Sequence, residues 1–319
     1  MTRRALVTGG AGFIGSHVAD ALLAHGFAVT IIDDLSSGRR ENLPASATFH
    51  ALDIRSPGAA AVVRDGAFDI LCHCAAQIDV RRSVNDPVHD AAINVLGTLN
   101  LLEAVRAAAH RPRVIFSSTG GALYGDFVTP PNDEIFPKDP ESPYGIAKLS
   151  AEYYLAYYAR LHGVETTVLR YANVYGPRQD PHGEAGVVAI FCNRILDGRA
   201  LTVFGDGEQT RDYVYVGDVA AANVAAALAT LPPAGRLDDR ACNIGTGVST
   251  SVVTLAATLQ AAAGTALPVE HAPARPGEQL RSVVRIEKAA AMLGWRPAMP
   301  LAAGLAETFR WFRDRRLAT

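Results

Sequence analysis

Tyr144 and Lys148 stand four residues apart behind Ser142-Pro143, a helix-start signal with proline in the first turn. A spacing of four puts both side chains on one helical face. In a chain with ten tyrosines and three lysines, such a pair would arise by chance about 0.1 times. The chemistry it offers is general base catalysis. A phenol of pKa about 10 removes few protons near pH 7 unless its anion is stabilised. An ammonium about 4 Å away contributes on the order of 4 kcal/mol at an effective dielectric constant of 20, or roughly three pKa units before desolvation opposes it. A solvated surface pair is the plainer reading. Lysine is scarce here: of 30 basic residues only Lys138, Lys148 and Lys288 are lysine. A compact ammonium on a flexible stem suits a place between a ribose and a phenol better than a planar guanidinium does.

A second constellation is Gly9, Gly12 and Gly15 in Gly-Gly-Ala-Gly-Phe-Ile-Gly. Three glycines at this spacing would arise by chance about 0.2 times in a chain with 28 glycines, so the surroundings must decide. The turn follows an apolar run and opens a helical pattern, which lets backbone N–H groups and the helix N-terminus hold a pyrophosphate. Asp33 follows Gly15 by 18 residues, near the offset of a carboxylate that binds an adenosine ribose. A carboxylate there repels a 2′-phosphate and favours NAD over NADP, although Arg39 and Arg40 lie close by. Cys72-His73-Cys74 superficially suggests a metal site, but strand alternation splits His73 from both cysteines, and no metal is expected.

The elements that must position these residues follow the rhythm of a parallel sheet. Apolar runs at Ala5–Thr8, Val29–Ile32, Ile70–Cys74, Val114–Phe116 and Val168–Arg170 alternate with helical stretches at Ser16–Ala24, Ala59–Val63 and Ala91–Ala109. This predicts a Rossmann-type, doubly wound α/β domain over residues 1–172. Beyond Asn173, glycines and prolines break the chain into short pieces, which predicts a smaller α/β substrate domain over 173–213 and 247–319. Val214–Val216, the alanine-rich helix after Asp218, and Cys242–Ile244 read as a βαβ return to the first domain over about 214–246.

Composition excludes several classes. The 319 residues are 49% apolar and 19% charged with a net charge of −2, which argues for a packed core and against a nucleic-acid footprint or a polybasic membrane anchor. The longest weakly polar stretch, Val219–Leu231, is too short for a bilayer span of roughly 20 residues. The glycines of Ala5–Gly15 interrupt any signal-like apolar run. Four scattered cysteines form no disulfide framework, so a soluble protein of a reducing cytoplasm is expected.

With these motifs in place, the sequence resembles the extended short-chain dehydrogenase/reductase family, and within it the UDP-glucose 4-epimerase group, over almost the whole chain. The glycine turn matches the family's GxxGxxG and Tyr144/Lys148 its YxxxK. The resemblance implies an NAD site built from Gly9, Gly12, Phe13, Ile14 and Gly15, from Asp33, Asp34, Ser37 and Gly38, and from Asp53 and Ile54 beside the adenine. Cys74, Ala75, Ala76 and Gln77, with Asn94, Ser117, Ser118, Tyr144, Lys148, Tyr171 and Ala172, complete it. The implied UDP-sugar contacts are Thr119, Gly120, Tyr144, Asn173, Val187, Val188, Phe204, Arg211, Tyr213, Arg275 and Glu278. Glu278 and Arg285 stand where relatives commonly carry aspartate.

The implied catalytic set is Thr119, Tyr144 and Lys148, with Ser118 the alternative hydroxyl. Dehydratases of the family place Asp-Glu directly after this hydroxyl, and decarboxylases a Glu. Gly120-Gly121 stands here instead, so dehydration is disfavoured. The implied reaction is redox-neutral inversion at C4 of a UDP-hexose through a 4-keto sugar, within galactose metabolism. UDP-N-acetylhexosamine or UDP-uronate epimerisation, UDP-glucuronate decarboxylation and a non-catalytic sugar-nucleotide sensor are the alternatives. His182 and Glu184 fall in a loop near the site. Tyr153, Tyr154, Tyr157 and Tyr158 fall at helical spacing and suggest packing, or the face of a homodimer.

Overall fold

A computed structural model describes residues 2–181, 186–274 and 279–318. Its strands are β1 (Arg4–Thr8), β2 (Ala28–Asp33), β3 (Thr48–Ala51), β4 (Ile70–His73), β5 (Arg113–Thr119), β6 (Thr166–Tyr171), β7 (Asn173–Tyr175), β8 (Leu201–Phe204), β9 (Thr210–Arg211), β10 (Tyr213–Tyr215), β11 (Ala241–Ile244), β12 (Thr250–Ser251), β13 (Val269–Ala272) and β14 (Arg281–Ser282). Seven of them form one parallel sheet in the order β11-β6-β5-β4-β1-β2-β3. The order reverses between β1 and β4, the crevice where doubly wound sheets bind their ligands.

Helices cover both faces, which is why the inner strands read as unbroken apolar runs. On one face α1 (Phe13–Ala24) and the helix at Val216–Leu228 bury Val18, Leu22, Val219 and Val224. On the other, helices at Pro57–Asp65 and Thr98–Ala107 and the long helix at Pro143–His162 bury Val63, Leu101, Val105 and Leu155. A third core joins Phe191, Leu201, Leu255, Leu305 and Phe312 beneath the small ribbons. No helix among the described residues is long and apolar enough to cross a membrane.

The helix carrying Tyr144 starts as its sequence predicts. The Ser142 hydroxyl accepts from the Gly145 N–H at 3.2 Å, Pro143 opens the first turn, and Gly163 ends the helix at φ 66°.

Three features depart from the sequence reading. The single helix expected at Ala91–Ala109 is a short helix at Pro87–Ala91, a π-helical stretch at Ala92–Gly97, and the helix at Thr98–Ala107. Gly97 lies so close to Ile54 that an added Cβ would meet its Cδ1 at 2.6 Å. Such widened turns frequently mark functional sites. Secondly, β10 does not return to the central sheet; it pairs with β7 in a separate parallel ribbon. The partner changes within one residue: the Ala172 N–H donates to Ile244 O, and the Asn173 N–H donates to Asp212 O. Only β11 takes the sheet position beside β6. Thirdly, the sequence pattern does not reveal β3, because Thr48–Ala51 is an edge strand with no fully buried residue to give a periodic signal.

Candidate active site

Glycine builds the turn after β1 because no other residue fits. Gly9 adopts φ 71°, and a Cβ there would lie 2.7 Å from the Ala75 nitrogen. A Cβ at Gly15 would lie 2.1 Å from the Gly9 oxygen. Gly12 caps α1 with no side-chain hydrogen bond, and the first turn of α1, which holds Phe13 and Ile14, carries no acid. Its leading amides therefore remain open to an anion. At the end of β2, Asp33 accepts from the Ala11 and Leu35 N–H groups at 3.0 and 2.8 Å. Burial raises its pKa, and those two bonds oppose the rise. A Cβ on Gly38 would sit 2.7 Å from Asp33 Oδ1, so only glycine lets the next loop approach this carboxylate. Asp34 holds the Ser36 N–H, and Ser37 is exposed.

Asp53 is paired with Arg55 at 2.5 Å, which lowers its pKa, and Ile54 beside it is buried. Ala75 and Ala76 lie between Cys74 and Gln77 in the loop after β4, and Asn94 holds that loop. Asn94 Oδ1 accepts from the Gln77 N–H at 3.0 Å, while Asn94 Nδ2 donates to the Gln77 oxygen at 2.9 Å. These cradles and open amides fit a dinucleotide across the β1/β4 crevice.

At its C-terminal end, β5 alternates its three hydroxyls. Ser117 Oγ donates to Cys74 Sγ at 3.2 Å and meets the Tyr171 hydroxyl at 3.1 Å. Ser118 turns to the opposite face and donates to the buried Glu152 carboxylate at 2.5 Å. Thr119 Oγ1 faces the loop of Gly120 and Gly121 and accepts from the Ala122 N–H at 3.1 Å. Asn173 Oδ1, buried and without a hydrogen-bond partner, lies 3.8 Å from where a Gly121 Cβ would be, with Thr119 Oγ1 and Ser282 Oγ each at 3.9 Å.

Lys148 is 3% exposed. Its Nζ donates to the Ser117 oxygen at 2.9 Å and lies 4.8 Å from the Phe116 ring centre and 5.9 Å from that of Tyr144. Burial pulls its pKa down to about 8, while Cys74, Asp90 and Glu152 oppose the fall. The Tyr144 phenol is raised above its ordinary range, by burial first and by the Asp90 carboxylate second. Burial, the effect that opposes the ammonium, thus prevails at the phenol. Lys148 is held by a carbonyl rather than by the phenol, and desolvation dominates.

Of the other expected contacts, Val187 opens the helix at Val187–Leu196, while Val188 and Tyr213 are buried in the third core. Phe204 ends β8, and Arg211 donates to the Thr210 oxygen at 2.9 Å. Arg275, Glu278, His182 and Glu184 lie outside the described residues. His73 is bound between Thr8 and Thr98, not to a cysteine. Two residues of the site escape the sequence reading. Ser83 accepts from the Tyr144 N–H at 3.2 Å and so seats the first turn of its helix. Ser282 closes the Asn173 corner. Neither belongs to a motif that spacing reveals.

A doubly wound sheet with a glycine cradle at its switch point and a Tyr/Lys pair whose lysine is fastened to the end of β5 defines a dinucleotide-dependent enzyme of the short-chain dehydrogenase type. The chain belongs to the NAD dependent epimerase/dehydratase family, whose model matches residues 5–245. It is 44% identical over 317 residues to UDP-glucose 4-epimerase of Mycolicibacterium smegmatis, covering 98% of this chain and 99% of that one. Among solved structures, UDP-glucose 4-epimerase from Thermotoga maritima with UDP-glucose matches with a TM-score of 0.92 and 46% identity, covering 98% and 99% of the two chains. The UDP-glucose 4-epimerase of Thermus thermophilus in complex with NAD matches with a TM-score of 0.89 and 44% identity, covering 97% and 99%.

Proposed function

We propose that this protein interconverts UDP-glucose and UDP-galactose by NAD-dependent epimerisation at C4, with Tyr144 as the base. The observation that carries this reading is that Lys148, beside the Tyr144 ring, is fastened to the Ser117 carbonyl two residues before Thr119, whose hydroxyl is followed by Gly120-Gly121. These supply one hydroxyl, one phenol and one ammonium, and the two residues after Thr119 are glycines rather than a carboxylate for a second proton transfer. The relatives that hold UDP-glucose or NAD support the same reading.

When bound, NAD would supply a reversible hydride acceptor. The Tyr144 oxygen removes the proton of the sugar 4-hydroxyl and later returns it. Thr119 Oγ1 orients that oxygen, and Lys148 stabilises the phenolate and binds the adjoining ribose. Asn173 Oδ1 accepts from a sugar hydroxyl. Residues 1–172, with the return over about 214–246, hold the dinucleotide. Residues 173–213 and 247–319 hold the sugar nucleotide, with Arg211 and Arg275 on the diphosphate and Glu278 on the uridine ribose. We place the enzyme in the cytoplasm and in galactose metabolism; its four cysteines are free thiols.

A homodimer completes the reading. Val88, Leu96, Ile146, Tyr153, Tyr157 and Leu161 are large apolar side chains left exposed on helices that flank the site, a pattern that favours a helix-to-helix partner. Purified protein mixed with UDP-galactose should yield UDP-glucose without net reduction of added NAD. Absence of product, with tight binding retained, would leave a sugar-nucleotide sensor instead.

A further inference from the structure

Among Gly9, Gly10, Ala11 and Gly12, only Ala11 has a side chain. Glycine restrains a backbone poorly, so a turn built from three of them keeps one shape only where its peptide groups are tied. The Gly9 N–H is tied to the Ile32 oxygen and the Gly12 N–H to the Gly9 oxygen. Between them, Ala11 depends on the segment after β2. Its N–H donates to Asp33 Oδ2 at 3.0 Å, and its carbonyl oxygen accepts from the Arg39 N–H and from Asn42 Nδ2, each at 2.9 Å. Asn42 is 8% exposed, and its side chain reaches a residue 31 positions earlier in the chain.

We propose that Asn42 is a positioning residue for the cofactor: its bond to the Ala11 oxygen holds the glycine turn in the shape that receives the NAD pyrophosphate, and so sets how firmly the dinucleotide is retained. The proposal concerns the dinucleotide and not the sugar, so it does not depend on the reaction proposed above. A ligand held by backbone amides gains most when those amides are ordered before it arrives. If the turn keeps its binding shape only part of the time, the apparent Kd rises by the reciprocal of that fraction. Asn42 is itself well placed to act as the tether. It ends a 3₁₀ turn, Arg40–Asn42, in which its N–H donates to the Arg39 oxygen at 3.0 Å. In the same turn the Arg40 guanidinium lies 5.4 Å from the centre of the Phe49 ring on β3, and Glu41 pairs with Arg315 of the helix at Leu301–Ala318. The exposed ion pair contributes little by itself. The Arg39 donor is backbone and persists in any variant, so Asn42 is the tether that a substitution removes. Asp33 is held as well by the Leu35 N–H at 2.8 Å, and its place at the adenosine ribose therefore does not rest on Asn42.

The test is Asn42→Ala beside Asn42→Leu, which nearly keeps the volume and lacks the donor, with release of labelled NAD from the purified protein as the readout. The release rate should rise about five- to tenfold in both variants, the worth of one buried hydrogen bond. ADP-ribose, which carries the pyrophosphate, should lose strength as a competitor by the same factor. Adenosine, which lacks it, should compete as it does against the wild type. The thermal midpoint of the NAD-free protein should stay near the wild-type value, while the rise that a fixed excess of NAD adds should shrink. NAD release at the wild-type rate would overturn the proposal, whatever the midpoint does, and would make Asn42 a purely structural contact. An equal loss for adenosine would overturn it too, by locating the disturbance at Asp33. If neither variant folds, the proposal falls, since the bond would then be serving the whole fold. None of these readouts passes through turnover. Wild-type protein that converts no UDP-galactose would refute the reading of the reaction, while NAD release would still decide the role of Asn42.

Discussion

Lys148 Nζ donates to the carbonyl oxygen of Ser117 at 2.9 Å, so the ammonium is fastened to the end of β5, two residues before Thr119. The strand that ends in the Thr119 hydroxyl also seats the cation. Lys148→Arg keeps the charge but brings a planar fork into a site built for one compact donor. It should preserve the fold and lower kcat by about 10² or more, the usual scale for a displaced acid–base group. Steady-state kinetics with circular dichroism as the fold control check this, and near-normal turnover would show that charge alone suffices.

Ser118 and Thr119 separate by strand alternation. Ser118→Ala removes a bond to the buried Glu152 and should cost about 1–3 kcal/mol of stability, with a small effect on turnover. Thr119→Val should leave stability nearly unchanged and reduce kcat by about 10². Thermal melts and kinetics of the two variants side by side test the assignment, and a reversed pattern would exchange their roles.

Arg170 and Glu152 are both fully buried, and Arg170 also bonds Asp238 at 2.7 Å. Lys138 donates to the other Asp238 oxygen at 2.7 Å, and Lys288 donates to the Asp238 backbone oxygen. Two of the three lysines thus close a buried network behind β5, and the third serves the site. Arg170→Met strands Glu152 and should destabilise the protein by about 3–5 kcal/mol. Denaturant unfolding measures this; a loss under about 1 kcal/mol would show the network to be dispensable.

His73 fixes a pH dependence of stability. Thr98 Oγ1 donates to the Asn94 oxygen, so His73 Nε2 donates to Thr98, and His73 Nδ1 accepts from Thr8. Burial, aided by Lys148, lowers the His73 pKa to about 3, so the ring is neutral at ordinary pH and Nδ1, with the single proton on Nε2, is the acceptor. The unfolded ring binds its proton near pH 6.5, above the folded one. Its contribution is therefore whole above about 6.5 and is lost progressively as pH falls toward 3. His73→Gln should flatten the acid side of the stability curve across that window, as urea unfolding at a series of pH values would reveal. An unchanged slope would place the acid sensitivity elsewhere.

Motifs made of residue types were legible where the chemistry is local. The glycine turn needs missing Cβ atoms, and the Tyr144/Lys148 pair needs one helical face; both leave a spacing in the sequence. Asp33 was legible because the end of β2 fixes its place. The π-helical stretch around Asn94 was not, since it goes with the close packing of Gly97 on Ile54, residues far apart in the chain. The β10/β7 ribbon escaped because a switch of partner between Ala172 and Asn173 leaves no periodic trace. The upward push on the Tyr144 phenol is not legible for a related reason: desolvation is a property of the packed site, whereas charge is visible in the sequence.

The central claim is that Tyr144 moves the C4 hydroxyl proton. Tyr144→Phe removes one oxygen, and the interconversion of UDP-galactose and UDP-glucose by this variant, with bound NAD released and counted in parallel, tests it most directly. The account predicts full NAD content and a rate lowered by about 10³ or more. A variant that interconverts the two sugars at the wild-type rate would contradict it.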